Sequence, residues 1–189
     1  MAYKFPTKQI VTRITSVDFQ VGRSGVITPA ANLEPVELGG VTISRASLHN
    51  MDFIIDKDIR IGDYVWLQRS GEVIPYVVAA IPERRDGDEI IIDTPTICPV
   101  CGGSVEKTKS DIYIYCTNDT CPAKIKGRIL YFVSRDGLNI EGIGESLVDV
   151  LISQGLVRDV SDLYRWEDLQ VKLAVVSLPC VGQKKYFEI

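Results

Sequence analysis

Four cysteines, Cys98, Cys101, Cys116 and Cys121, are spaced C-x2-C-x14-C-x4-C near the middle of the chain. Each close pair spans a tight turn that brings two thiolates to one point, and two such turns complete a tetrahedron, which is how a structural Zn²⁺ is held. Four thiols can also close two disulfides or carry an iron–sulfur cluster. The opening residues, Met1-Ala2-Tyr3-Lys4-Phe5-Pro6, lack the apolar stretch of a secretory signal. A reducing setting is therefore expected, where clustered cysteines favour metal over disulfide. The run Cys98-Pro99-Val100-Cys101-Gly102-Gly103 has the composition of a zinc-knuckle turn. Four protein ligands leave no open coordination position, so zinc held this way is structural. The fifth cysteine, Cys180, lies in an apolar run and reads as a small core residue.

Upstream of the array the pattern is that of short strands. Val11 to Val21 is rich in β-branched residues and ends at Gly22-Arg23-Ser24-Gly25. A second strand is expected from Val26 to Leu33, ended by Glu34-Pro35. Val36–Leu38 and Val41–Ala46 flank Gly39-Gly40, a pair suited to a tight hairpin. Leu48 to Lys57 carries a helical apolar pattern. Ile61-Gly62-Asp63 reads as a turn, Tyr64–Gln68 and Val73–Ile81 as strands, and Glu89–Ile92 as a last short strand. Five or more short strands with one helix between them, in a span of about 85 residues, point to a small closed barrel, with the OB-fold the leading form.

Downstream, the finger from Glu106 to Cys116 alternates as a hairpin does, and from Ala123 the period becomes helical, with Ile125, Ile129, Phe132 and Val133 on one face. Residues 136–189 read as helical with a loose repeat. Ile140-Glu141-Gly142-Ile143-Gly144-Glu145 leads into a helix with Leu147, Val150 and Leu151 on its apolar face. Leu178-Pro179-Cys180-Val181-Gly182-Gln183 leads into Lys184-Lys185-Tyr186-Phe187. Glycines that bare backbone amides at a helix start form an anion site, and on duplex DNA that is a phosphate contact that reads no sequence. A plain helix start with glycine in its turn is the alternative. The fold class is thus multidomain: an all-β OB-fold barrel, a small four-cysteine zinc finger and an α-helical helix-hairpin-helix segment. The last helix stops about one turn in, so the sequence reads as a piece of a longer chain.

Charge narrows the choice of partner only locally. The formal net charge is -4, which argues against a polyanion partner for the chain as a whole. Residues 96–128 nevertheless carry five basic and three acidic side chains, so Lys107, Lys109, Lys124, Lys126 and Arg128 make either a local phosphate-facing surface or a solvated basic face. No apolar run approaches the ~18 residues of a membrane span, and no membrane partner is expected.

Several blocks together resemble the bacterial NAD⁺-dependent DNA ligases: Val21-Gly22-Arg23-Ser24-Gly25 with Thr28-Pro29 and Leu33-Glu34-Pro35-Val36; Ser44-Arg45-Ala46-Ser47-Leu48-His49-Asn50; Arg60-Ile61-Gly62-Asp63; Arg69-Ser70-Gly71-Glu72-Val73-Ile74-Pro75; Cys98-Pro99-Val100-Cys101-Gly102 and Cys121-Pro122-Ala123; Phe132-Val133-Ser134-Arg135; and Glu141-Gly142-Ile143-Gly144-Glu145. Tyr3-Lys4-Phe5-Pro6 is similar to the last nucleotidyltransferase motif of that family. The resemblance covers essentially the whole chain, in family order. It implies residues 1–9 as the end of a nucleotidyltransferase domain, 10–95 as an OB-fold domain, 96–122 as a four-cysteine zinc finger, and 123–189 as a truncated helix-hairpin-helix domain.

The resemblance further implies a protein that seals nicks in duplex DNA for replication and repair, with NAD⁺ and Mg²⁺ as cofactors and Zn²⁺ as a structural ion. It is expected to act as a monomer in the bacterial cytoplasm, on nucleoid DNA. Lys4 is implied to face the phosphate of bound adenylate. Arg23, Arg45 and Arg69 are implied on DNA phosphates, Val73 and Ile74 against the sugars, and Gly142, Gly144, Gly182 and Lys184 at helix starts on the backbone. Solvated loop arginines and a core-facing Val-Ile pair are the bland alternative. His49, the sole histidine, reads as structural. The family's nucleophile is the lysine of a K-x-D-G motif, and no K-x-D-G occurs here; Arg84-Arg85-Asp86-Gly87 puts a permanently charged arginine in its place. The chain is therefore expected not to self-adenylate or ligate alone, with the zinc fixing the angle between barrel and helical part. A stand-alone OB/zinc nucleic-acid-binding module and a zinc-stabilised protein scaffold are the competing readings.

Overall fold

A computed structural model describes residues 9–68, 75–107 and 112–165. The chain divides into two compact units. One comprises residues 1–21 and 26–117, the other residues 22–25 and 118–189.

The first unit is built on strands β1 (Gln9–Val21), β2 (Val26–Leu38), β3 (Val41–Ser47), β5 (Tyr64–Gln68) and β6 (Tyr76–Ala80). They are hydrogen-bonded in the order β1-β5-β6-β3-β2, and β2 pairs back onto β1, so the sheet closes into a five-stranded barrel of the OB type. Closure needs one parallel contact, Ser47 beside Tyr76, where the Ser47 amide donates to the Pro75 carbonyl at 2.9 Å. Closure leaves no free edge among these strands. The period-2 pattern sets the inside of the barrel. Along β2, Ile27, Pro29, Ala31 and Leu33 are buried in alternation; along β5, Val65 and Leu67 are buried while Trp66 faces out. Thr12 also points inward, and its hydroxyl donates to the Glu34 carbonyl at 2.7 Å, which satisfies a polar group that burial would otherwise penalise.

Glu34-Pro35 does not end the second strand as expected. β2 runs on to Leu38, and its pairing with β3 slips between Asn32 and Val36. Proline lacks the amide a ladder needs, so it sits at the irregularity. Gly39 and Gly40 make the foreseen hairpin, with φ of +67° and +80°, the left-handed pair that a type I′ turn requires.

Helix α1 (Met51–Asp56) is shorter than its apolar pattern. Leu48 is buried ahead of it and His49 takes a φ of +59°. The Asn50 side chain then accepts the Phe53 amide at 2.8 Å as a helix cap. Met51 and Ile54 turn into the barrel core. A two-residue strand not foreseen, β4 (Arg60–Ile61), pairs with β7 (Ile90–Ile91) outside the barrel. The cysteine finger is a hairpin of β8 (Val105–Lys107) and β9 (Ile114–Cys116), and β9 extends the main sheet by pairing with Val26 and Ile27 of β2.

The second unit holds α2 (Pro122–Val133), α3 (Glu145–Ser153) and a short 3₁₀ turn at Val160–Tyr164. Its core is small: Ile129, Val133, Val148, Leu151, Val157 and Leu163, with Ile125, Phe132, Leu147 and others partly buried around them. Val148, rather than the expected Val150, is the innermost valine of α3, because Val148 and Leu151 are three apart and share a face. The second glycine turn, Leu178 to Phe187, and Cys180 lie outside the described residues. Among the described residues no helix is long and apolar enough to cross a membrane.

Candidate metal centre and nucleic-acid interface

The four cysteines converge. Their sulfurs all lie within 4.8 Å of one another. A tetrahedral Zn²⁺ with Zn–S bonds of ~2.3 Å puts its sulfurs ~3.8 Å apart. The Sγ atoms of Cys101 and Cys116 are 3.6 Å apart, close to that edge and far beyond the ~2.05 Å of a disulfide. The donor set therefore fits zinc. Local structure explains the convergence. The Cys98 amide donates to the Gly103 carbonyl at 2.8 Å and the Gly102 amide to the Cys98 carbonyl at 2.9 Å, closing the first knuckle. Gly102 takes a φ of +68°, where a side chain would be strained. Cys116 ends β9, and Cys121 sits immediately before α2, whose first residue, Pro122, suits a helix start. Cys98, Cys116 and Cys121 are buried, with Cys101 half-buried.

The expected basic face is largely spent on internal ion pairs. Lys107 pairs with Asp52. Lys124 is buried rather than surface-facing and reaches Asp119 at 2.9 Å, which holds the Asp119 carboxyl below its usual range. Lys126 sits 2.7 Å from Asp149 and 2.9 Å from Glu145, and those carboxylates raise its pKa. Arg128 is exposed and lies 4.0 Å from Asp119. Lys109 lies outside the described residues.

The other predicted contacts separate into three groups. Lys4, Arg69, Val73, Ile74, Gly182 and Lys184 lie outside the described residues. Arg45 is half-exposed on β3, 3.7 Å from Asp18, whose carboxylate also accepts from Asn32 at 2.8 Å. Arg23 is exposed in the turn between β1 and β2, and no carboxylate among the described residues pairs with it; its guanidinium lies over the Tyr131 ring, 3.6 Å from the centroid. Gly142 takes a φ of +86° and Gly144 caps α3 in an extended conformation, with open space where a side chain would stand. The amides at the start of α3 are thus approachable from outside. His49 packs its ring against Phe53 (4.9 Å) and Tyr76 (5.4 Å).

Sequence reasoning missed the ion network behind the Arg84–Gly87 turn. Arg85 donates to the buried Asp63 through Nε (2.7 Å) and Nη2 (2.8 Å), and to Asp58 through Nη1 (2.6 Å). Asp63 also accepts the Arg60 amide at 2.7 Å. The hydrogen bonds that Arg85 donates to Asp63, then to Asp58, push its pKa further up. Glu89 closes the turn by accepting the amides of Asp86 (2.9 Å) and Gly87 (3.0 Å), the Asp86 bond doing most to lower its carboxyl. Ile61-Gly62-Asp63 was legible only as a turn, and nothing in its local pattern marks Asp63 as buried. Tyr131 was missed for a different reason: it lies off the apolar face of α2 that periodicity picks out.

A closed OB barrel followed by a four-thiolate module that fits structural zinc defines the class of the chain. The family model described as the NAD-dependent DNA ligase OB-fold domain matches residues 11–89, and that described as the NAD-dependent DNA ligase C4 zinc finger domain matches residues 98–123. A DNA ligase of Thermotoga neapolitana is 52% identical over 165 residues, covering 87% of this chain and 24% of the relative. A DNA ligase of Aquifex aeolicus is 47% identical over 185 residues, covering 97% and 25%. One from Coprothermobacter proteolyticus is 49% identical over 184 residues, covering 97% and 27%. The chain belongs to the NAD-dependent DNA ligase family, of which it carries the OB-fold and C4 zinc finger domains. It spans about a quarter of the length of the curated relatives it matches.

Proposed function

We propose that this chain is the DNA-holding part of an NAD⁺-dependent ligase that seals nicks between 5′-phosphate and 3′-hydroxyl ends in duplex DNA during replication and repair. The observation that carries the reading is the order of two family domains in one chain, with four sulfurs converged where the second requires them. The barrel and the helical unit then supply backbone contacts: Arg23, Arg45 and Arg69 on phosphates, Val73 and Ile74 on sugars, the amides around Gly142 and Gly144 at a helix start, and Gly182 and Lys184 on the DNA backbone. Such contacts position a duplex without reading its sequence. The helical unit is assigned to the helix-hairpin-helix type on its glycine turn, Gly142 to Gly144.

Adenylate transfer needs an amine that can lose its proton and attack phosphorus. Among these 189 residues no K-x-D-G occurs, and the nearest match, Arg84–Gly87, has Arg84 in the lysine's place, its guanidinium 5.5 Å from the centroid of the Tyr64 ring. NAD⁺ and Mg²⁺ are cofactors of the whole ligase, in which Lys4 faces the adenylate phosphate; the described residues take no step through either. Zn²⁺, when bound, is a structural crosslink. The chain acts as a monomer on nucleoid DNA in the cytoplasm.

Titration of the zinc-loaded chain against nicked and intact duplexes at fixed salt tests the reading. Binding is expected to favour the nicked duplex and to weaken steeply with added salt. Absence of salt-sensitive binding at low ionic strength overturns it in favour of a protein scaffold, and equal affinity for both duplexes in favour of a general nucleic-acid module. Incubation with radiolabelled NAD⁺ and Mg²⁺ is expected to leave the chain unlabelled.

A further inference from the structure

Within the helical unit, α2 and the turn at Gly22–Gly25 border an open groove of about 710 Å³. Arg23 and Arg128 line it, Arg128 lying 4.0 Å from the exposed Asp119; Tyr131, Phe132, Leu138 and Val160 give it an apolar wall, and among the described residues no carboxylate lines it. Tyr131 and Leu138 are exposed to solvent at 44% and 57%. The Leu138 amide donates to the Phe132 carbonyl at 2.8 Å, which folds the chain back at the end of α2 and sets Leu138 on the groove. The turn bearing Arg23 is seated closely: a Cβ at Gly127 would lie 2.9 Å from the Arg23 Cα. Tyr131 is one helical turn beyond Gly127 on the same face. Its ring accepts the guanidinium face-on at 3.6 Å.

An arginine held on an aromatic face keeps its edge donors free, whereas one held by a carboxylate has spent them. One guanidinium held by a ring rather than by a carboxylate, beside apolar side chains, matches a polyanion whose charged phosphates alternate with apolar sugar faces. The phosphate contact read above for Arg23 makes this groove a DNA-backbone subsite, and we propose that Tyr131 is a positioning residue that presents the Arg23 guanidinium to that phosphate while Leu138 meets the adjoining deoxyribose. The proposal rests on the ligase reading above for its partner, duplex DNA.

The test is a double-mutant cycle on the zinc-loaded chain, with nicked duplex titrated over a range of salt. Arg23→Ala is expected to weaken binding and to reduce the slope of log K against log salt by about 0.9, one phosphate contact. Tyr131→Leu keeps bulk and apolar packing but removes the ring; it is expected to weaken binding about two- to fivefold, the worth of one cation–π contact. Tyr131→Phe should bind as the parent does. Tyr131→Leu added to Arg23→Ala should cost nothing more. Additive losses, or equal losses for Tyr131→Phe and Tyr131→Leu, overturn the positioning role while leaving the ligase reading intact. An Arg23→Ala chain that binds with unchanged affinity and slope removes Arg23 from the DNA and overturns the subsite. Salt-insensitive binding by the parent chain itself is the distinct failure of the ligase reading. Should Tyr131→Leu fail to fold by circular dichroism, Leu138→Ser reports on the same groove: it is expected to weaken binding with an unchanged salt slope, and unchanged affinity overturns the subsite.

Discussion

Two turns of this molecule present an arginine in opposite ways. In the turn at Arg84–Gly87, Arg85 is drawn inward by two carboxylates, one of them buried, and its side chain is only 16% exposed. In the turn at Gly22–Gly25, Arg23 is exposed and rests on a ring. The first arrangement saturates the donors of the guanidinium and closes a corner of the barrel unit. The second fixes the plane of the guanidinium and leaves its donors for something else. In sequence the two look alike, each an arginine beside a glycine-bearing turn. What separates them is the charge of the groups that face them: Asp58 and Asp63 in one case, Tyr131 in the other.

The metal provides the largest lever on that contrast. Cys121 leads directly into α2, which carries Tyr131, whereas the Arg85 network involves no residue near the cysteines in sequence. Removing zinc with a strong chelator in reducing buffer releases a crosslink whose binding free energy in small modules is about 10–16 kcal/mol. The expected result is rapid amide exchange across residues 96–133, and protected amides in the strands of the barrel around Arg85. Atomic analysis should find one zinc per chain beforehand. Equal loss of protection in both regions would show that the two turns do not depend on separate supports.

The next lever acts on Arg85 itself. Arg85→Met leaves the Asp63 carboxylate buried without its cation, which costs about 3–5 kcal/mol when one partner of a buried pair is removed. Arg23→Met should change stability by less than ~0.5 kcal/mol, as exposed substitutions do. Urea denaturation of both variants measures the difference. A small effect for Arg85→Met would mean that Asp63 finds water or another donor, and the inward turn would then not be a structural device.

Much of this was legible because the signals are local and periodic. The run Val26–Leu33 marked a second strand, Gly39-Gly40 marked a hairpin, and the cysteine spacing marked the metal centre. Two kinds of information were not local. Proline after Glu34 reads as a strand end, yet the pairing of β2 with β1 and β3 on either side carries the strand through an irregularity. Lys124 reads as part of a basic surface, yet packing buries it and Asp119 neutralises it. The same applies to the arginines. Whether a guanidinium meets a carboxylate or a ring is decided by residues far away in sequence, Asp63 for Arg85 and Tyr131 for Arg23.

The smallest lever is acid. The Arg85 hydrogen bond, followed by that of Arg60, holds the Asp58 carboxyl below its usual value. A carboxyl whose folded pKa is depressed contributes stability that is present above the unfolded value, ~3.9, and is lost as pH falls through the folded value. The barrel should therefore lose thermal stability below about pH 4, by a modest amount because Asp58 is exposed to water. The Arg23–Tyr131 contact involves no carboxylate, so acid should not reach it directly. A melting series between pH 5 and pH 2 on the parent and on Asp58→Asn separates the contributions. Asp58→Asn should flatten part of the decline, the remainder coming from other depressed carboxyls such as Glu89 and Asp162. If Asp58→Asn leaves the acid slope unchanged, Arg85 draws its hold on the corner from Asp63 alone, and the contrast between the two turns narrows to a single buried carboxylate.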